Sequence, residues 1–202
     1  GVDTHGYWKV PNPQRAVVVL VHGFGEHSGR YLETVVPVLN GAGLAVLGFD
    51  LAGHGRSGGK RGHCKGYGQL MDQLGCACSY ARDVFPTLPL FLYGHSMGGN
   101  LVLNLVLRKL ESPSGVVASS PYLRLAFKPP AWKVRAGQVL ERLMPSITMP
   151  SGLDPKAISR DPGAVEAYRS DPLVHDRISP RYAFPVIEAG EQAILMADRW
   201  DL

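Results

Sequence analysis

The chain has 202 residues, of which 45% are hydrophobic and 19% charged, a composition that excludes fibrous, disordered and collagen-like proteins. The formal net charge of +4 comes from scattered Lys and Arg, with no like-charged run longer than Lys60-Arg61. Nucleic acid is therefore not an expected partner. The length suits one domain with a substantial hydrophobic core.

The cysteines and the absence of long apolar runs bear on the cellular location. Cys64, Cys76 and Cys78 cannot form a closed disulfide framework, and the Cys-x-Cys spacing separates two thiols on a helix instead of directing both to a metal. No stretch approaches the ~20 apolar residues that span a bilayer, and the first residues lack a signal-peptide pattern. We expect a reducing, cytoplasmic location and neither metal nor cofactor.

Buried strands alternate with helices in the first half of the chain. The β-branched run at 16–21 shows no polar alternation, which predicts a central parallel strand. The pattern then predicts a helix over 30–40, a strand over 44–49, an amphipathic helix over 69–85, and strands over 88–93 and 115–118. The helix predicted over 101–110, between the last two strands, is apolar except for a narrow row formed by Asn100, Asn104 and Arg108. Such alternation specifies an α/β fold with a mostly parallel sheet and helices on both faces.

The alternation ends at residue 121. Residues 121–172 contain eight of the 16 prolines, one short amphipathic piece over 132–144 and no strand-like run. We interpret 1–121 as the N-terminal part of the core and 122–172 as a lid insertion over the carboxyl ends of the strands. Residues 173–202 are interpreted as a return to the core that ends in a helix over 181–200.

A serine lies in the sharp turn between the strand predicted over 88–93 and the helix that follows. Residues 94–98, Gly-His-Ser-Met-Gly, match the pattern G-x-S-x-G. A serine in this turn adopts a strained backbone conformation, and side chains two residues away would collide with neighbouring elements. The pattern predicts Ser96 as a nucleophile, which requires a histidine base and a carboxylate that orients it.

The turn at 22–25, His-Gly-Phe-Gly, follows the neighbouring strand. Acyl-transfer enzymes place an oxyanion donor at this position, so we expect the backbone N–H groups of Phe24 and Met97 to converge on a substrate carbonyl oxygen. A tight turn that needs glycine for geometry alone is the alternative.

The loop at 53–58 matches G-x-G-x-x-G by chance. No helix is predicted to open at Gly58, so the loop lacks the helix N-terminus that would bind a pyrophosphate. Asp50 precedes the serine, whereas the triad acid follows it in enzymes with this turn. We expect Asp50 to brace the loop through hydrogen bonds.

Four motifs in order carry a family resemblance: HGFGEHSGRY at 22–31, FD at 49–50 with GHGRS at 53–57, GHSMGG at 94–99 and DPLVH at 171–175. Together they resemble the monoacylglycerol lipase and lysophospholipase branch of the α/β-hydrolases over essentially the whole chain. The resemblance implies a serine hydrolase that cleaves small lipid esters, monoacylglycerols or lysophospholipids, through Ser96. It also implies Phe24 and Met97 as oxyanion donors and Glu26 as a substrate contact near the entrance.

Apolar residues of the lid are candidates for an acyl pocket, and Leu143, Met144 and Ile147 are assigned to substrate binding. Ordinary packing of the lid on the core is the alternative, and the sequence does not separate the two. Because the implied substrates are lipids, we expect peripheral membrane contact through the lid. The sequence indicates no oligomeric state.

The chain departs from the family pattern at its end. In the family, the catalytic Asp follows a strand in a context like His-Gly-x-x-Asp, and the His lies beyond a further strand. Neither segment occurs here, and the only histidine after Ser96, His175, is expected to be structural. We therefore expect a truncated chain without the last strands, with the triad Asp and His beyond Leu202 and little turnover of its own. A non-catalytic binding module, a peptidase and a haloperoxidase on this fold remain alternatives.

Overall fold

A five-stranded, mostly parallel sheet forms the core of the computed structural model, which describes residues 2–125 and 130–201. The strands are β1 (Gly6–Lys9), β2 (Ala16–Val21), β3 (Leu44–Phe49), β4 (Leu90–His95) and β5 (Gly115–Ser119). Their spatial order is β1-β3-β2-β4-β5, with β1 antiparallel to β3 and the other pairs parallel. The carboxyl ends of β2 and β4 therefore meet at one edge of the sheet.

Six α-helices accompany this sheet in the described ranges: α1 (Val35–Gly41), α2 (Tyr67–Val84), α3 (Met97–Leu107), α4 (Ala131–Leu143), α5 (Pro162–Ser170) and α6 (Pro180–Leu195). Short 3-10 turns cover Ser28–Tyr31, Pro155–Ala157 and Ala197–Arg199. None of the helices described is both long enough and apolar enough to cross a membrane.

The central strand β2 is buried on both faces. Val17, Val19 and Val21 pack into a core that α2, α3 and α6 share. Val18 and Leu20 point to the opposite face and form a second core with α1. Burying a Val or Leu side chain stabilises a fold by roughly 1.5–3 kcal/mol, so the apolar run of β2 anchors both layers.

Several elements differ from the sequence predictions. The edge strand β1 was not predicted, because its half-buried Tyr and Trp stand between an exposed glycine and an exposed lysine. The helix predicted over 30–40 is a 3-10 turn followed by α1. The polar segment that forms α5 is a helix because Asp161 caps it, accepting a hydrogen bond from the Gly163 amide at 2.9 Å, with proline at the first helical position.

The segment predicted as a lid contains α4, α5 and a short strand that the sequence pattern does not show. This strand, β6 (Met149–Pro150), pairs antiparallel with β7 (Arg177–Ile178), which follows the segment. Helix α4 packs on α6, where Gly137 lies so close to the Phe184 ring that a Cβ would overlap it. The lid segment is therefore fastened to the chain that returns to the core.

Asp50 organises the glycine-rich loop that follows β3. Its buried carboxylate accepts hydrogen bonds from the Ser28 amide at 2.9 Å, the Ser28 hydroxyl at 2.7 Å and the Arg56 amide at 2.9 Å. No helix opens at Gly58, so the structure agrees with the rejection of a nucleotide-binding turn. Burial alone would raise the pKa of Asp50, but the hydrogen bonds from Arg56 and Ser28 hold it below its usual range.

We predict that Asp50→Asn lowers the free energy of unfolding at pH 7 by about 1–3 kcal/mol, because an amide cannot accept all three hydrogen bonds. A carboxyl group whose pKa is lower in the folded state stabilises the fold at pH values above its unfolded-state pKa of about 3.9. This stabilisation is lost as the pH falls through the folded-state pKa. Urea titrations from pH 7 to pH 2 should therefore show the variant and the wild type converging in acid. The exposed Asp83→Asn control should match the wild type throughout, and a constant gap for Asp50→Asn would contradict the assignment.

Candidate active site

Ser96 occupies the sharp turn between β4 and α3. Its backbone lies in the left-handed region, with φ 51° and ψ −112°, a conformation that costs a non-glycine residue about 1–3 kcal/mol. The Ser96 amide donates to the Ser119 carbonyl at 2.9 Å, and the Ser96 carbonyl accepts from the Tyr122 amide at 2.9 Å. The end of β5 therefore holds the strained residue in place.

Three glycines let the backbone of this turn approach its neighbours. A Cβ on Gly94 would overlap the Gly98 carbonyl, and one on Gly98 would overlap the carbonyl oxygen of Val21 at the end of β2. A Cβ on Gly99 would lie 2.9 Å from Pro121. The glycines are required here because strands and turn are in backbone contact.

Two unpaired backbone amides lie in the elements that flank the serine. Phe24 belongs to the turn after β2, and Met97 is the first residue of α3. Neither N–H group donates a hydrogen bond to another residue in the described ranges. A Cβ on Gly23 would be 3.4 Å from the Ser96 Cβ, so the turn passes directly beside Ser96. The arrangement suits an oxyanion formed on a substrate bound at Ser96.

Glu26 braces the turn that carries Phe24. Its carboxylate accepts hydrogen bonds from the Gly23 amide at 2.8 Å, the Tyr31 hydroxyl at 2.6 Å and the Arg30 Nε at 3.1 Å. Burial, together with this carboxylate, raises the pKa of Tyr31, which keeps the phenol protonated as a donor. The structure thus shows a bracing role for Glu26, and Glu26 does not line the cavity at Ser96.

His22 holds the same turn from the core side. The ring is fully buried, with Nδ1 2.7 Å from the Gly23 carbonyl oxygen and Nε2 3.0 Å from the Leu51 amide nitrogen. In the tautomer that satisfies both contacts, Nδ1–H donates to Gly23 and Nε2 accepts from Leu51. Burial lowers the pKa of His22, so it is a neutral structural link between the turn and the loop after β3.

An apolar cavity of about 280 Å³ opens on Ser96. No charged side chain lines it in the part of the chain that the structure describes. Its lining residues are Phe24, Ser96, Met97, Tyr122, Leu125, Ser151, Leu153, Ile178, Tyr182, Ala183, Val186 and Ile187. A wider hollow of about 640 Å³ between β1 and α2 shares no residue with it. The cavity at Ser96 brings together the predicted nucleophile and both predicted oxyanion residues.

The lid residues assigned to substrate binding lie elsewhere. Leu143, Met144 and Ile147 do not line the cavity, and their exposed fractions are 76%, 52% and 36%. Four residues of α6 form the wall instead: Tyr182, Ala183, Val186 and Ile187. The apolar spacing of these residues is visible in the sequence, but the spacing does not reveal which cavity they face.

None of the seven histidines lines this cavity, and all seven belong to the described part of the chain. His175 contacts backbone groups with both ring nitrogens: Nε2 lies 3.1 Å from the Gly53 carbonyl oxygen and Nδ1 lies 3.3 Å from the Arg177 amide nitrogen. Burial lowers the pKa of His175. Its contacts are those of a structural histidine, as the sequence led us to expect.

A parallel sheet with a strained serine at a strand-to-helix turn, flanked by free backbone amides, defines the α/β-hydrolase class. Comparison with known proteins agrees: a model of the family described as serine aminopeptidase, S33, matches residues 12–202. The chain belongs to this family. Its α/β-hydrolase fold confirms the predicted fold class.

Monoacylglycerol lipases are among the similar proteins. The chain is 39% identical over 168 residues to one from Mycolicibacterium smegmatis, a match that covers 83% of this chain and 59% of that protein. It is 37% identical over 171 residues to the monoglyceride lipase of Homo sapiens, covering 83% and 55%. The crystal structure of a monoacylglycerol lipase from Paleococcus ferrophilus superposes with a TM-score of 0.87 at 41% identity, covering 98% of this chain and 74% of that one. The chain thus spans little more than half the length of the two curated lipases.

We predict that Gly98→Ala destabilises the protein by about 1–3 kcal/mol, because a methyl group cannot fit against the Val21 carbonyl without moving β2 or the turn. Gly75→Ala is the control: this glycine lies within α2 with open space around its Cα, so alanine should stabilise by about 0.5–1 kcal/mol. Urea unfolding measures both changes. A Gly98→Ala variant as stable as the wild type would show that the turn is not in backbone contact with β2.

Proposed function

We propose that this protein hydrolyses carboxyl esters of single-chain lipids, monoacylglycerols or lysophospholipids, through an acyl-enzyme on Ser96. The observation that carries this proposal is the apolar cavity that opens on Ser96 between the residues with free amides, Phe24 and Met97. The similarity to monoacylglycerol lipases supports the same substrate class.

The proposed reaction begins when the Ser96 Oγ attacks the ester carbonyl carbon and its proton passes to a general base. The carbonyl oxygen becomes an oxyanion that accepts hydrogen bonds from the Phe24 and Met97 amides, each worth about 2.7–4 kcal/mol of barrier. The N-terminus of α3 adds a favourable dipole. The base then protonates the departing alkoxide, which leaves an acyl-enzyme, and water hydrolyses this intermediate with the base acting again.

The cavity favours lipid esters over the peptide substrates that the family description suggests. An aminopeptidase needs a carboxylate to bind the free ammonium group of its substrate, whereas the described lining of this cavity carries no charge. Ten of its twelve lining residues are apolar or aromatic, and the other two are Ser96 and Ser151. An acyl chain satisfies such a surface, and a charged peptide terminus does not.

A binding protein without turnover is the second candidate. It is favoured by one observation: no histidine of the chain lines the cavity, so no described residue is placed to take the proton of Ser96. A protein of this kind would bind acyl chains at the same surface. Reaction of Ser96 with an active-site reagent separates the two candidates.

We predict that a fluorophosphonate labels Ser96 of this 202-residue chain slowly, because absence of the base costs about 10⁴-fold or more in rate. Added imidazole should accelerate the labelling by acting as the missing base. Ser96→Ala should abolish it, as intact-protein and peptide mass spectrometry would show. Labelling that is insensitive to both imidazole and Ser96→Ala would favour the binding protein.

We further propose that the lid contacts a lipid surface. In α4, Trp132, Val139 and Leu143 are 68%, 55% and 76% exposed, and their spacing of seven and four residues places them on one face of the helix. Met144, which follows α4, is 52% exposed. An exposed apolar helix face suits the boundary between headgroups and acyl chains.

We predict that Trp132→Ala combined with Leu143→Ala weakens binding to phosphatidylcholine–phosphatidylglycerol vesicles by about tenfold or more, because each side chain contributes roughly 1.5–3 kcal/mol when buried in lipid. Co-sedimentation of protein with vesicles measures this. Val38→Ala is the control, since Val38 is 72% exposed on α1, outside the lid. Equal losses for the control and the double variant would contradict contact through α4.

A further inference from the structure

The polar row on α3 faces α6. The buried Asn100 donates from Nδ2 to the Tyr122 carbonyl at 2.8 Å and to the Val186 carbonyl at 3.1 Å. One turn later, Asn104 Nδ2 donates to the Ala189 carbonyl at 3.1 Å. Both asparagines therefore reach the main chain of α6 rather than its side chains.

Two further contacts extend this row along the helix pair. Arg108 Nη2 donates to Gln192 Oε1 at 2.9 Å, and at the other end the Tyr182 hydroxyl donates to Met97 Sδ at 3.1 Å. Successive turns of α6 are thus tied to successive turns of α3, starting at the residue next to the nucleophile.

The orientation of the Asn100 amide is fixed from both sides. While Nδ2 donates to two carbonyls, Oδ1 accepts the Tyr67 hydroxyl at 2.7 Å. Burial raises the pKa of Tyr67, so this phenol remains a donor. Asn104 Nδ2 also donates to this Oδ1, at 3.4 Å. A buried amide with these four partners cannot rotate without losing at least one of them.

Helix α6 is also the wall of the cavity at Ser96. Val186 takes part in both arrangements: its carbonyl accepts from Asn100, and the residue lines the cavity. Because α3 begins immediately after Ser96, the contacts of the row determine how far this wall stands from the nucleophile.

We propose that Asn100 is a positioning residue that sets the acyl-chain length accepted at Ser96, by holding α6 in register with the start of α3. This inference rests on the proposed function. A purely structural role for Asn100 would change stability and leave the selectivity for chain length unaltered.

The test compares alkyl fluorophosphonates that carry ethyl and octyl chains, with imidazole present. In Asn100→Leu, which keeps the branched shape of the side chain and removes its hydrogen bonds, the octyl-to-ethyl ratio of labelling rates should fall about five- to tenfold. Tyr67→Phe removes only one of the hydrogen bonds of the Asn100 amide, so it should shift the ratio less and in the same direction. If Asn100→Leu does not fold, the labelling ratio of the milder Tyr67→Phe variant provides the test.

Val46→Ala is the matched control. Val46 is fully buried in the core on the opposite face of the sheet, so its truncation lowers the melting temperature without touching α3 or α6. The ratio should remain at the wild-type value in this variant. A ratio that is also unchanged in Asn100→Leu and Tyr67→Phe, with melting temperatures reduced, would overturn the positioning role.

A binding measurement with free fatty acids tests the positioning role of Asn100 independently of whether Ser96 reacts. If no reagent labels the wild type, Ser96 is not a nucleophile, and calorimetry with decanoate and butyrate still reports on the wall of the cavity. Asn100→Leu should then weaken decanoate binding about fivefold and leave butyrate binding nearly unchanged. Equal affinities for decanoate in variant and wild type would overturn the inference.

Discussion

Backbone contact between the serine turn and its neighbouring strands is the constraint on which the rest of this structure depends. Gly98 lies against the carbonyl of Val21 at the end of β2, and Gly99 lies against Pro121 beyond β5. Side chains at these glycines would separate the turn from both strands. The strain at Ser96 is sustained because the surrounding backbone leaves the residue no relaxed conformation.

The turn at 22–25 is likewise held by specific hydrogen bonds. Most backbone N–H groups in protein interiors are paired. Glu26 satisfies the Gly23 amide, and His22 ties the Gly23 carbonyl to the loop after β3. The next amide, that of Phe24, has no partner in the described ranges. An unpaired donor held rigid by paired neighbours is what stabilisation of a developing negative charge requires, because no reorganisation is needed during the reaction.

The sequence predicted those parts of the fold whose signals are local. The run at 16–21 predicted β2 because a strand buried on both faces shows no alternation, and the turn at 94–98 predicted the junction of β4 and α3. Strand β1 was missed because an edge strand with exposed ends lacks a clear apolar pattern. Helix α5 has a readable signal in Asp161-Pro162, a capping residue followed by the proline favoured at a helix start.

Local sequence signals do not show which elements pack against each other in the folded protein. Periodicity identifies the buried face of α6 but not its partner, so the sequence did not place α6 residues such as Val186 at the cavity beside Ser96. Lid residues such as Leu143, which the sequence assigned to substrate binding, lie outside this cavity. The asparagines of α3 show how that placement is achieved. The hydrophobic effect is non-directional, so apolar burial specifies the alignment of two helices less strictly than hydrogen bonds do. A buried amide that must reach a particular carbonyl has few acceptable positions, since a shift of one residue would leave polar groups unpaired. Polar residues in an otherwise apolar helix thus specify its alignment with α6, and through α6 the wall that a substrate at Ser96 would meet.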